Sequence, residues 1–159
     1  MRRSGNDSWF SKKLKKQIMN LIYITGPANT GKSTLIKQQY DRLIKTGNYT
    51  VVDFENPTAL SDFRFLLQHT TTKECIILNS PTDEHACIKA MENFIEKQLN
   101  GGYNIVKVVT SIRDYNINPV LHTQTKRVLE KLFPNATEVS VNLMQMTSST
   151  VESMLNSLV

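Results

Sequence analysis

Apolar residues between positions 20 and 159 occur in short strand-length runs that alternate with longer stretches of helical period. The runs predict five strands at residues 21–25, 49–54, 75–79, 105–110 and 137–141. Helical spacing predicts helices at residues 32–45, 57–67, 80–100, 119–133 and 149–158. This regular alternation predicts an α/β fold, a five-stranded, mainly parallel sheet sandwiched by helices, in a single domain over residues 20–159.

Two of the predicted helices depend on local patterns. The short one begins near Pro57 and takes its apolar face from Leu60, Phe63, Leu66 and Leu67. The third helix opens with Ser80 and Asp83, which match a capping box around Pro81. Both patterns therefore predict where a helix begins.

The net charge of +5 lies entirely in the first 19 residues, which form a basic N-terminal extension. They hold six basic side chains and one acidic one, whereas the rest of the chain holds 13 of each sign. Phe10, Leu14 and Ile18 recur at every fourth position among lysines, which predicts a short basic amphipathic helix. Two interpretations stay open: this extension binds an anionic partner, either nucleic acid or a membrane surface, or it is simply solvated.

Several classes of protein are disfavoured by the composition. The longest apolar runs have strand length, so the sequence predicts no transmembrane segment. No apolar stretch follows the basic residues at the start, as it would in a secretory signal. Cys75 and Cys87 stand in no metal-binding spacing and are predicted to be reduced thiols. We therefore expect a cytoplasmic protein, or a nuclear one in a host cell, that is not secreted.

A candidate phosphate-binding loop joins the first strand to the first helix. It consists of Gly26, Pro27, Ala28, Asn29, Thr30, Gly31, Lys32, Ser33 and Thr34, and matches the pattern G-x-x-x-x-G-K-[ST]. The two glycines let backbone N–H groups approach a phosphate, and the start of the helix faces the same anion. Lys32 is expected to follow the β- and γ-phosphates, and Ser33 to bind Mg²⁺. The loop therefore predicts binding of a nucleoside triphosphate, ATP by default, with Mg²⁺.

With this loop the chain resembles the P-loop NTPase superfamily. The GPxxTGKS-type spelling is similar to that of AAA+ proteins and viral replicative helicases. In that branch the strand after the metal-binding strand ends in a polar residue that senses the γ-phosphate, and Thr110, Ser111 and Arg113 are similar to such an ending. The resemblance implies Mg²⁺-dependent ATP hydrolysis, in a protein of viral or mobile-element type, with these three residues facing the γ-phosphate.

The third predicted strand departs from that branch. It carries Asn79 where the resemblance implies a metal-binding Asp, and Ser80 where a catalytic Glu would follow. An amide oxygen has no charge, so metal-assisted hydrolysis would be weakened. Asp83 and Glu84 could substitute, although a role in capping the next helix is equally expected. A nucleotide-binding switch without catalysis therefore stays open as an alternative.

The chain also resembles small-molecule and nucleotide kinases. Asp53 and Glu55 lie two residues apart in the second strand, and so on one side of it, which is similar to the acidic pair of such kinases. Asp53 could bind Mg²⁺ through water, and Glu55 could take the proton of an acceptor hydroxyl. Alternatively, the pair ends a strand at the solvent. Arg113 and Arg127 lie where a kinase lid would be.

The order of the strands distinguishes the two resemblances. If the strand ending at Asn79 lies beside the strand before the loop, the kinase interpretation is favoured. If the strand ending at Thr110 lies between them, the ATPase interpretation is favoured.

Overall fold

The structure, a computed structural model, describes residues 19–26, 31–56, 62–143, 149–150 and 153. Within these ranges its helices include Lys32–Lys45 (α1), His85–Asn100 (α2) and Pro119–Leu132 (α3), and residues 149, 150 and 153 are also helical. Its strands are Asn20–Thr25 (β1), Tyr49–Glu55 (β2), Arg64–His69 (β3), Glu74–Asn79 (β4), Asn104–Ser111 (β5) and Thr137–Asn142 (β6). The five strands predicted from the sequence are confirmed as β1, β2, β4, β5 and β6.

The six strands form one mixed sheet in the order β2-β3-β4-β5-β1-β6. β1 lies between β5 and β6 and runs parallel to both, and β4 is parallel to β5. β3 is antiparallel to each of its neighbours, β2 and β4. The prediction of a five-stranded, mainly parallel sheet was therefore short by one strand, and the added strand reverses direction.

That added strand, β3, replaces part of the helix predicted to begin near Pro57. The first four residues of β3, Arg64 to Leu67, are all buried. Side chains from helices pack against both faces of this strand. A strand buried on both faces has a continuous apolar run, and its spacing resembles that of a buried helix. Residues 57–61, where the helix was predicted to start, lie outside the described residues.

The sheet separates two apolar cores. On one face, α1 packs Leu35, Ile36 and Leu43 against β-strand residues that include Ile22 and Leu78. On the other face, α2 and α3 supply side chains at helical spacing that cover the same strands. The prediction that helices sandwich the sheet is therefore confirmed. No helix in the described part of the chain is long and apolar enough to cross a bilayer.

The parallel strands bring the candidate chemistry to one edge of the sheet. Asn79, at the end of β4, is in register with Thr110 of β5, and Ser111 is in register with Ile24 of β1. β1 then leads directly to Gly26 and the candidate loop. The carboxyl ends of β4, β5 and β1 therefore lie side by side, which is where open α/β sheets bind ligands.

Candidate nucleotide-binding site

The loop after β1 returns to regular structure at Gly31. This glycine has φ 91°, in the left-handed region that residues with a Cβ rarely adopt, and it is the N-cap of α1. Because glycine has no side chain to cap the helix, the first N–H groups of α1 are left for a ligand. Pro27, Ala28, Asn29 and Thr30 lie outside the described residues, so their part in the loop stays a prediction.

Lys32 begins α1, and its side chain reaches back to Gly26, just after β1. Its Nζ donates a hydrogen bond to the Gly26 carbonyl at 2.8 Å. Burial lowers the pKa of Lys32, and the positive charge of Arg113 lowers it further, while Asp114 and Asp83 act in the opposite direction. Lys32 and Arg113 therefore create a positive region, and a phosphate placed there would stabilise both charges.

A cavity of about 230 Å³ opens beside Lys32 at the ends of β4 and β5. It is lined by Lys32, Ser33, Asp62, Ser80, Pro81, Thr82, Asp83, Ser111 and Arg113. One lysine, one arginine, two carboxylates and four hydroxyl groups thus surround one small space. This mixture of cations with hard oxygen ligands suits a phosphate group and a magnesium ion.

The hydroxyl groups of the cavity contact one another. The Oγ atoms of Ser33 and Ser80 are 2.8 Å apart, and Thr82 Oγ1 lies 3.1 Å from Ser111 Oγ. Ser111 Oγ also donates to the Ser80 carbonyl. Ser80 is therefore the residue at the end of β4 that faces the predicted Mg²⁺ ligand. It does not take part in the capping box predicted for it, because α2 begins at His85 with Glu84 as its N-cap.

Asn79 and Thr110 lie behind the cavity and do not line it. Both are fully buried. Asn79 Nδ2 donates to Thr110 Oγ1 at 2.9 Å and to the Pro81 carbonyl at 3.2 Å. Thr110, which the resemblance places at the γ-phosphate, therefore does not line the cavity, whereas Ser111 and Arg113 do. The same shift by one residue puts Ser80 where Asn79 was expected.

Arg113 reaches the cavity with an unused donor. Its Nε–H is buried and finds no hydrogen-bond acceptor among the described residues. A buried donor without a partner costs about 1–3 kcal/mol, and a phosphate oxygen in the cavity would remove that cost. Arg113 is therefore arranged to bind an anion.

Asp53 and Glu55 are not brought to the cavity. β2 is an edge strand of the sheet, with β3 and β4 between it and β5. The bulge in β2 falls before Asp53, so Asp53 and Glu55 keep the alternate spacing that was predicted for them. Asp53 forms an ion pair with Lys97 at 3.0 Å and accepts a hydrogen bond from Gln98 at 2.7 Å. Its slight burial raises its pKa, but these hydrogen bonds outweigh burial and lower the pKa overall. The structure thus gives Asp53 no route to the metal expected at Ser33.

Two other carboxylates line the cavity, Asp62 and Asp83, and both are exposed. The sequence offers Asp83 as a substitute for the missing strand-end carboxylate. It gives no such indication for Asp62, which stands inside a predicted helix with no motif around it. Asp62 is near the site only because β3 begins two residues later, next to β4.

The order β4-β5-β1, with the loop after β1, is that of a nucleotide-binding α/β domain related to the P-loop NTPases. The chain belongs to the AAA domain family, whose model matches residues 19–134 and so includes every residue that lines the cavity. Membership implies nucleotide binding, generally with Mg²⁺. No curated protein and no solved structure matches the chain.

Proposed function

We propose that this chain binds ATP with Mg²⁺ in the cavity and hydrolyses it, as an ATPase of the AAA and helicase-like kind. The observation that carries the proposal is the strand order, since β5 lies between β4 and β1. This is the order that favours an ATPase over a kinase. It sets Ser111 beside both the loop strand and the end of β4.

The roles of the cavity residues follow from their charge and position. Lys32 and Arg113 neutralise the β- and γ-phosphates, and the Lys32 bond to Gly26 is exchanged for a bond to phosphate. The Ser33 and Ser80 hydroxyl groups, whose Oγ atoms are 2.8 Å apart, would hold Mg²⁺, which would neutralise charge on the phosphates. The backbone from Gly26 to Thr34 is predicted from its motif to cradle the phosphates.

Hydrolysis needs a group that orients the attacking water. Asp83 is the best placed, because it lines the cavity on the short segment between β4 and α2. It stands three residues beyond Ser80 and is exposed, so it is held less firmly than a carboxylate on the strand itself. We therefore expect slow turnover.

A second candidate is a nucleotide-dependent switch that does not hydrolyse ATP. It is favoured by Ser80 and Pro81, the cavity residues at the end of β4, neither of which is a carboxylate. The kinase alternative has less support, because Glu55 bonds to Arg64 and Asp53 to α2.

The test measures ATP binding and phosphate release separately on the full chain. Lys32→Ala is expected to weaken Mg²⁺-ATP binding at least about tenfold, a loss of ~1.4 kcal/mol. The matched control is Lys45→Ala, which removes an exposed lysine at the other end of the same helix. Unchanged binding in Lys32→Ala would contradict the proposed site.

Asp83→Asn is expected to keep ATP binding and to slow phosphate release about a hundredfold, the usual contribution of a general base. Glu84→Gln is its control, because Glu84 is exposed and does not line the cavity. Wild-type protein that binds ATP but releases no phosphate would refute hydrolysis and favour the switch. Release only when a small acceptor is added would favour the kinase.

A further inference from the structure

A row of polar side chains crosses the sheet beside the cavity. Glu55 of β2 is in register with Arg64 of β3, Arg64 with Asn79 of β4, and Asn79 with Thr110 of β5. Cross-strand partners in register lie on the same face of a sheet, so their side chains can contact in sequence. The row leads from the sheet edge at β2 towards the nucleotide site.

Arg64 is the charged member of this row and is only 4% exposed. Its Nε donates to Asn79 Oδ1 at 2.7 Å, and its Nη1 donates to the carboxylate of Glu55. The guanidinium also lies 5.8 Å from the ring centroid of Phe94 on α2. A buried guanidinium needs such partners. The Glu55 side chain is 48% exposed, so solvent partly screens its attraction to Arg64. Asn79 is the buried partner of Arg64.

The bond from Arg64 determines which way the Asn79 amide faces. With its oxygen bound to Arg64, the amide turns its Nδ2 towards Thr110 Oγ1 and the Pro81 carbonyl. Because the bond joins the Asn79 side chain to the Pro81 carbonyl, it fixes the backbone of Ser80, the residue between them. Ser80 is thereby held with its Oγ 2.8 Å from Ser33.

We propose that Arg64 is a positioning residue for the nucleotide site: by holding the Asn79 amide it keeps Ser80 against Ser33, on the metal side of the cavity. This inference rests on the proposed Mg²⁺-ATP binding and does not depend on hydrolysis. Removal of Arg64 leaves the Asn79 oxygen buried without its donor, and the end of β4 is then free to relax. Metal-dependent binding is affected first, because Lys32 binds the phosphates from the start of α1 and does not depend on the end of β4.

The test is a double-mutant cycle on the dissociation constant for ATP, with and without Mg²⁺, using the full chain. Arg64→Met and Asn79→Ala are each expected to weaken Mg²⁺-ATP binding about tenfold. If Arg64 acts through Asn79, the double variant is also weakened about tenfold and not about a hundredfold. Binding of metal-free ATP is expected to change less than about twofold, which a general loss of structure would not produce.

Two further variants separate positioning from stability. Arg64→Lys keeps one donor for Asn79 and is expected to recover part of the affinity; it also serves if Arg64→Met does not fold. Leu129→Ala opens the core under α3, far along the chain from the row, and is expected to lower the melting temperature while leaving Mg²⁺-ATP affinity unchanged.

Three results would overturn the inference. These are wild-type affinity in Arg64→Met, effects of Arg64→Met and Asn79→Ala that multiply in the double variant, and equal losses of affinity with and without Mg²⁺. If the wild-type protein binds ATP but does not hydrolyse it, only the proposed ATPase activity fails, and the cycle still decides the role of Arg64. Wild-type protein that binds no ATP overturns both.

Discussion

Lys107 puts a charged side chain into the interior of the sheet. It lies on β5 and is only 4% exposed. Burial lowers its pKa to about 8, and the nearby positive charge of Arg42 contributes to the same shift. The protonated form of Lys107 is therefore disfavoured in the folded state relative to the unfolded chain, where its pKa has the ordinary value of 10.5.

This burial has a consequence for stability against pH. Between pH 8 and pH 10.5 the unfolded chain binds more protons at Lys107 than the folded one, so this residue's contribution to stability rises with pH in that window. We expect Lys107→Met to be more stable than wild type at pH 7, by up to about 3 kcal/mol, and the advantage to shrink as the pH rises towards 10. Urea unfolding of both proteins at several pH values measures this difference.

The pKa values of Cys75, Cys87 and Tyr49 are also raised, mainly by burial. These groups therefore also change the free energy of unfolding at alkaline pH, in addition to Lys107. The difference between wild type and Lys107→Met removes their shared contribution. Lys45→Met, at an exposed position, is the control for replacing a lysine by methionine. A constant gap between wild type and Lys107→Met from pH 7 to pH 10 would contradict the assignment.

At the scale of single residues, the sequence predicted the cations of the cavity better than its oxygen ligands. The two cations were predicted because Lys32 belongs to the loop motif and Arg113 follows a strand end. Ser80 was predicted for a different role, since which of two consecutive residues at a strand end faces a cavity depends on local twist. Arg64 was not separable from a surface arginine, because its partners, Glu55 and Asn79, are distant in sequence.

Among the helices, α3 shows the clearest start signal. Asn118 is its N-cap, and its Oδ1 accepts a hydrogen bond from the Leu121 N–H at 3.1 Å, with Pro119 at the first helical position. We expect Asn118→Ala to destabilise the protein by about 1 kcal/mol, because that N–H then has no side-chain acceptor. Thermal or urea unfolding measures the change in stability.

The control for this cap is Asn116→Ala, in the exposed turn before α3. The backbone N–H of Asn116 is bound by Asp114, and that bond survives the substitution. We expect Asn116→Ala to leave stability nearly unchanged. Equal destabilisation in the two variants would show that the turn as a whole, and not the cap, limits the stability of α3.

For whole elements, hydrophobic pattern succeeded where one face was exposed or a motif marked the boundary. α1, α2 and α3 each have a polar face, so their period was visible. β3 has no exposed face over Arg64–Leu67, so no polar period is visible there. Leu66 and Leu67 follow Phe63 by three and four residues, which matches the spacing of a helix as well as a buried strand. The direction of β3 depends on pairing with β2 and β4, which no local pattern encodes.

For the whole molecule, the uneven distribution of charge suggests a partner for the first 19 residues. These residues contain the entire net charge, and the remainder of the chain is balanced. We expect full-length protein in which the four lysines of residues 12–16 are changed to Gln to bind short duplex DNA more weakly. The log–log slope of its affinity against salt concentration is expected to become shallower by about 0.9 for each phosphate that the variant no longer neutralises.

The control replaces Lys45 and Lys73, both exposed in the balanced part of the chain, with Gln. It is expected to leave DNA binding unchanged. Binding to anionic vesicles, measured in parallel, separates the membrane interpretation from the nucleic-acid one. If neither polyanion binds wild type more tightly than the lysine variant, the extension is a solvated one.

The position of β1 between β5 and β6 also sets the order in which the chain can fold. β2, β3 and β4 follow one another and pair as antiparallel neighbours, so they can assemble from local contacts as soon as they are synthesised. β1 is synthesised before its two neighbours and cannot pair in the sheet until they are made, because β5 and β6 lie more than half the chain away. The loop and the end of β4 therefore meet only at a late stage. During synthesis, the proposed ATP site would therefore form only after β5 has been made, and ATP would then stabilise the sheet that holds the site.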